Sequence, residues 1–191
     1  YMQLEDNVLQ LPGDSGAYVE LPLSIAEELD YKNSFSVEVT FVPQTVQHQF
    51  LWSFGTGKET DYLFFNPSRP SAGNPYVGIK TDDREQSIWT DILLDTSEYS
   101  TVTVTSEKNT LKLYVNGQLI GDMEHSRDLD KIFSGDGESV LGYIGKSNWG
   151  ADPYSDAVVT DFKIYNQTLT SDQVREICES NDFTGRQASV S

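Results

Sequence analysis

The chain reads as an all-β protein, a sandwich or barrel of short antiparallel strands, on three observations. Short strand-like runs recur roughly every 8–12 residues between clusters of Gly, Pro, Asn and Asp, the spacing of sandwiches and barrels. Aromatic residues make up 12% of the sequence, led by 10 Tyr and 9 Phe, a bias that suits pleated, half-buried surfaces. An Asn116-Gly117 pair separates the apolar-rich runs 111–115 and 118–120, and both central positions of a type I′ hairpin turn need positive φ. At 191 residues, one domain over 1–180 is expected, followed by a polar tail or linker over 181–191.

The elements follow in order. Residues 7–11 form the first expected strand, closed by the turn Pro12-Gly13-Asp14-Ser15-Gly16, and 18–21 form the second. A short helical turn is expected at 24–29. Phe35, Val37, Val39 and Phe41 alternate with Ser36, Glu38 and Thr40, the period of a strand with one buried face. Further strands are expected at 50–54, 62–65 and 76–80, the last two flanking a loop with Pro67, Pro70 and Pro75. Proline has no N–H for a ladder, so that loop is irregular or sits at a sheet edge. After the hairpin, 141–145 and 157–165 supply the last strands. Residues 168–179 are helical, because Thr170 and Gln173 make a capping box and Val174, Ile177 and Cys178 share a face. Cys178, the sole cysteine, is expected to pack as a small apolar residue, and it leaves neither a disulfide framework nor a structural zinc.

The 30 acidic and 13 basic side chains give a net charge of −17. Nucleic-acid binding needs cationic side chains to displace counterions, so this surface excludes it. Anionic membranes are excluded for the same reason, and no apolar run is long enough for membrane insertion. The sequence opens in strand-like text at Tyr1-Met2-Gln3, as a segment of a longer polypeptide would, so neighbouring domains are expected partners.

Several blocks resemble a known family. Leu9-Gln10-Leu11-Pro12-Gly13-Asp14 with Tyr18-Val19-Glu20-Leu21, then Ser34-Phe35-Ser36-Val37-Glu38-Val39-Thr40-Phe41, are similar to the opening of laminin G-like domains of the concanavalin A-like class. Leu113-Tyr114-Val115-Asn116-Gly117 is similar to the family's central hairpin. Ile144-Gly145-Lys146-Ser147, Asp152-Pro153-Tyr154 and Asp161-Phe162-Lys163-Ile164-Tyr165-Asn166 resemble its closing segment. The blocks keep the family's order from Leu9 to Ile177. The resemblance implies a jelly-roll sandwich with a short C-terminal helix. Phe54-Gly55-Thr56-Gly57 followed by Tyr62-Leu63-Phe64-Phe65 resembles copies attached to secreted bacterial glycoside hydrolases, which implies an extracellular, secreted or cell-surface protein. Ser155-Asp156-Ala157 departs from the family's aromatic, small polar and Gly at the entry to the last strand.

No catalytic constellation is present in the sequence. A glycanase needs two carboxylates across a groove, and relatives with that activity carry them at alternating positions of one strand, a spacing missing from every expected strand here. Asp82-Asp83-Arg84-Glu85 lies in turn-like text and reads as a solvated turn. His48 and His125 fall in expected loops, and Gly135-Asp136-Gly137 lacks the continuation of a phosphate loop.

The resemblance implies one structural calcium ion, whose recurrent last-strand ligand corresponds to Asp161. Asp14 is a second candidate ligand, and the alternative is an Asp161 that points outward or pairs with a lysine. For carbohydrate, a ring must meet the apolar face of a sugar while polar side chains meet its hydroxyls. The loop Asn148-Trp149-Gly150-Ala151-Asp152-Pro153-Tyr154 supplies Trp149, Tyr154, Asn148 and Asp152. Trp89 is the next candidate ring, and Trp52 reads as core. The alternative is that Trp149 and Tyr154 fold down to cover one end of the sandwich. The expected function is a non-catalytic module that binds a carbohydrate polymer or glycan, or alternatively a structural or adhesive module without a sugar site.

Overall fold

The structure, a computed structural model, describes residues 8–14, 16–82, 84–134, 140–150 and 152–188. Tyr1-Met2-Gln3, Asn7, Ser15, Asp83, Gly135-Asp136-Gly137 and Ala151 lie outside the described residues. Two six-stranded antiparallel sheets form a β-sandwich. The first runs β1 (Leu9–Pro12), β12 (Asp156–Tyr165), β3 (Ser34–Pro43), β8 (Ser100–Glu107), β9 (Thr110–Val115) and β10 (Gln118–Glu124). The second runs β2 (Val19–Pro22), β11 (Val140–Ile144), β4 (Trp52–Gly55), β5 (Asp61–Asn66), β6 (Tyr76–Thr81) and β7 (Gln86–Trp89). Three helices complete it: α1 (Ser24–Glu28), α2 (Leu129–Phe133) and α3 (Ser171–Ser180). Among the described residues, no helix is long and apolar enough to cross a membrane.

The core lies between the sheets. Phe35, Val37, Val39 and Phe41 of β3 meet Trp52, Phe54, Leu63 and Phe65 of β4 and β5, and all eight are fully buried. Burying one such side chain stabilises the fold by roughly 1.5–3 kcal/mol. The Asn116-Gly117 turn joins β9 to β10 with φ of 48° and 82°, as the type I′ reading requires.

The structure departs from the sequence expectations in several places, β7 and α2 being further elements that were not expected. Strand β3 is buried on both faces, since Ser36, Glu38 and Thr40 are at most 1% exposed. Strand β8, which no apolar alternation with charged residues announces, carries Thr101, Thr103 and Thr105 on the same covered face. Helix α3 and the segment after it supply the cover. The Thr170 capping box starts α3, whose buried side chains are Val174 and Cys178. The 181–191 stretch, expected as a tail or linker, is bound to the first sheet over its described part, 181–188. Asn181 Nδ2 donates to Thr40 Oγ1 at 2.9 Å, and Thr101 and Thr184 hydroxyls lie 2.7 Å apart. Backbone bonds join Tyr99 to Gly185 and Arg186, and Ala188 to Ser97. Its polar residues pair with the hydroxyls of the sheet, so polarity there marks a hydrogen-bonded seam.

Candidate functional site

A second aromatic cluster sits on the outer face of the second sheet. Side chains alternate along β5 and β6, so Leu63, Phe65, Val77 and Ile79 enter the core while Tyr62, Phe64 and Tyr76 point away from it. Gly78 makes room for the cluster, because a Cβ there would stand 2.5 Å from Phe64 Cζ. Residues of the loop between β11 and β12 cover the cluster. The Trp149 ring centroid lies 4.4 Å from that of Tyr62 and 5.3 Å from that of Phe50. Ser147 Oγ donates to the Trp149 carbonyl at 2.5 Å, tying the loop to itself.

Trp89 ends the edge strand β7 on the same face, opposite Tyr76. Their rings stack at 4.8 Å, 14° from parallel, yet Trp89 remains 54% exposed. The Arg69 guanidinium lies over the indole, 4.8 Å from its centroid.

Polar side chains border these rings. Asn66, paired with Tyr76 across β5 and β6, contacts His48 Nδ1 through Nδ2 at 3.0 Å. An amide NH2 can only donate, so Nδ1 accepts and the proton of the neutral imidazole sits on Nε2. Burial holds His48 below the usual histidine range, against the opposing pull of Asp152, whose Oδ1 is 3.9 Å from Nε2. The second Asp152 oxygen, Oδ2, is buried without a hydrogen bond, as is Asn148 Oδ1. Burial, reinforced by Glu85, pushes the Tyr62 and Tyr76 hydroxyls up, so both stay protonated. Tyr62 donates to Glu85 Oε2 at 2.7 Å.

Of the expected sugar ligands, Trp149, Asp152 and Trp89 share this face. Trp149 is its cover and Trp89 its exposed ring. Asn148 is tied inward, donating to the Leu141 carbonyl at 3.3 Å. Tyr154 turns elsewhere, joining Tyr18 and Tyr143 around the Lys146 ammonium, which lies 5.8, 4.8 and 4.2 Å from the three ring centroids. His48, Asn66 and Arg69 were not among the expected ligands. They come from loops or strand ends, and only the pairing of β5 with β6 brings them beside Trp89.

The expected metal ligands lie apart. Asp161 on β12 is 2.5 Å from Lys163 Nζ, which is also 3.8 Å from Glu38 Oε1. Asp14 accepts from the Gly16 N–H at 3.2 Å in the turn beside Ser155. Positions 156 and 161 of one strand are roughly 17 Å apart at the usual rise, so Asp14 and Asp161 cannot share an ion. Calcium takes about 6–8 oxygen ligands, whereas Asp161 already faces an ammonium. Among the described residues, no three His, Cys, Asp or Glu side chains gather as a metal site. The described residues around Asp161 do not fit a calcium ion, and the lysine pairing weighed for Asp161 is the arrangement found.

No curated protein is significantly similar to the chain in sequence. Solved structures share its fold at low identity. Domain 4 of AbnA, an extracellular arabinanase from Geobacillus stearothermophilus solved with arabinotriose, is 16% identical, with a TM-score of 0.65 over 90% of this chain and 86% of that one. The CBM40 module of the Ruminococcus gnavus IT-sialidase, solved with α2,3 sialyllactose, is 16% identical, with a TM-score of 0.68 over 90% and 96%. A SAP-like pentraxin from Limulus polyphemus is also 16% identical, with a TM-score of 0.62 over 97% and 90%. At such identities the likeness is one of fold. The Laminin_G_3 family model, described as the concanavalin A-like lectin/glucanases superfamily, matches residues 13–175, and the chain belongs to that family.

Proposed function

We propose that this domain is a non-catalytic carbohydrate-binding module of a larger secreted bacterial protein, a glycoside hydrolase, and that it holds glycan on the outer face of its second sheet. The observation that carries the reading is Trp89, a large ring left 54% exposed while stacked on Tyr76. A sugar lying there takes apolar contact from the indole and hydroxyl partners from Arg69, His48 and Asp152, the mixture that sugar recognition needs. Trp149 sets the floor of the site by packing Tyr62 and Phe64 beneath it. A neutral glycan also suits a chain of net charge −17. Arabinotriose, with which the arabinanase domain was solved, is a neutral glycan of this class.

The non-catalytic part rests on what the outward strand positions hold. Tyr62, Phe64, Tyr76 and Trp89 occupy them, where a glycosidase needs two carboxylates. Such a module works by tethering, since a weak glycan contact raises the local concentration of a linked catalytic domain. A glycan array with the wild-type domain and Trp89→Ala tests the reading. Retention of glycan by the wild type alone supports it, and equal retention by both moves the site away from Trp89.

A second reading, a structural or adhesive module that packs on a neighbouring domain, is favoured by one observation. Val46 and Leu93 are 63% and 67% exposed and both flank Gly73, an apolar patch of the kind that docks on protein. A domain that ignores every glycan yet loses affinity for its neighbouring domain on Leu93→Ser would establish it.

A further inference from the structure

We infer that the domain has a second ligand site, a polar cavity at the far end of β5 that takes one neutral sugar residue or comparable polyol. The cavity has a volume of about 370 Å³ and lies between the β4–β5 turn, the end of β6 and α2. That volume is near the lower end of the roughly 300–1,000 Å³ of small-molecule sites, with room for a single ring and not for a chain.

Two of its lining side chains are buried, each with an oxygen that has no hydrogen bond. Thr56 is 3% exposed and its Oγ1 has no hydrogen bond, and Asp61 is 9% exposed with Oδ1 unbonded. The other Asp61 oxygen accepts from Thr60 Oγ1 at 2.6 Å, which fixes the carboxylate in place. A buried acceptor without a donor is costly, and a ligand hydroxyl entering the cavity supplies the missing donor. Thr56 can both give and accept a hydrogen bond, so two adjacent hydroxyls of one ring suit the pair.

Charge selects the ligand class. Among the described residues, the cavity is lined by two carboxylates, Asp61 and Asp82, and two ammonium groups, Lys58 and Lys131, with Lys131 paired to Asp82. An anion meets two carboxylates and a cation meets two ammonium groups, while a neutral polyol finds acceptors and donors on both sides. The site is separate from the outer face, since Asp61 and Asn66 are the opposite ends of β5, roughly 17 Å apart at the usual rise. It therefore stands or falls independently of the reading given to Trp89.

Backbone amide NMR of the ¹⁵N-labelled domain tests it, with arabinose, galactose, glucose and calcium chloride added separately. Saturable shifts of the Thr56, Asp61 and Asp82 amides are expected with at least one sugar. Asp61→Asn and Thr56→Val should each weaken that response by roughly fivefold, one hydrogen bond's worth. Trp89→Ala should leave it unchanged, so failure of the outer-face site is read separately. Shifts at these amides with calcium alone, no shifts with any sugar, or sugar shifts indifferent to both rim variants would each overturn the assignment. Thr56→Val keeps the side-chain shape, so a misfolded Asp61→Asn protein would not spare the proposal.

Discussion

Trp89 and Tyr76 stack with ring centroids 4.8 Å apart on the outer face of the second sheet, and only Tyr76 is buried by it. The pair divides the labour of a platform. Tyr76 is anchored against Phe64 at 5.2 Å, and Trp89 inherits that anchoring while keeping its surface. A ring held this way loses little rotational freedom when a ligand arrives.

The two outward tryptophans should respond oppositely to truncation. Trp149→Ala removes the ring that covers Phe50, Tyr62 and Phe64, so the melting temperature should fall by roughly 5–10 °C. Trp89→Ala deletes a mostly exposed ring and should leave the melt nearly unchanged. Differential scanning calorimetry of the two variants checks this. Equal losses would contradict the assignment of cover to one and platform to the other.

Glu38 makes stability rise as pH falls over one window. It is 1% exposed, and neither carboxylate oxygen has a hydrogen bond. Burial raises its pKa above 4.5, outweighing the pull of Lys163. A raised folded-state pKa means that this group's stabilisation is complete below the unfolded value and is lost as pH rises through the folded one. Glu38→Gln should therefore melt higher than wild type at pH 7, with the gap closing below about pH 4.5. An unchanged gap across that range would show that Glu38 is not the group responsible.

Asp161 should be irrelevant to calcium. Its carboxylate serves Lys163 at 2.5 Å, so any rise in melting temperature with added calcium should survive Asp161→Asn. Loss of such a rise in that variant would restore the ligand role that the family resemblance implied.

The segment 181–188 should guard Cys178. The thiol is 5% exposed, burial pushes its pKa up, and its Sγ is 3.9 Å from Thr184 Oγ1. Ending the chain after Ser180 should speed labelling by a thiol reagent and lower the melting temperature. Identical labelling rates would mean that α3 alone protects the cysteine.

The sandwich was legible because its strands announce themselves locally. Phe35 to Phe41 alternate in period 2, and Asn116-Gly117 names its own turn. Strand β8 was not, because Thr101, Thr103 and Thr105 are hydroxyl-bearing residues buried under α3 and the segments flanking it, which lie far along the chain. The site divides in the same way. Trp149, Asp152 and Trp89 stand out as unusual residues in their own segments. Which ring is cover and which is platform depends on the outward stripe of Tyr62, Phe64 and Tyr76, and a fully apolar run such as Tyr62-Leu63-Phe64-Phe65 does not reveal that its second face is covered too. The lysine that answers Asp161 is two residues away on the same side of its strand, within reach of a period-2 reading.

The central claim, glycan held at Trp89, is tested most directly by the three indole N–H signals of Trp52, Trp89 and Trp149 in an NMR titration with glycans found by array. A saturable shift of the Trp89 indole is expected, with a smaller one for Trp149 and none for Trp52, which is fully buried in the core. Affinity should be weak, on the order of 0.1–1 mM, and should vanish in Trp89→Ala. Glycan binding that saturates while the Trp89 signal stays in place would contradict it.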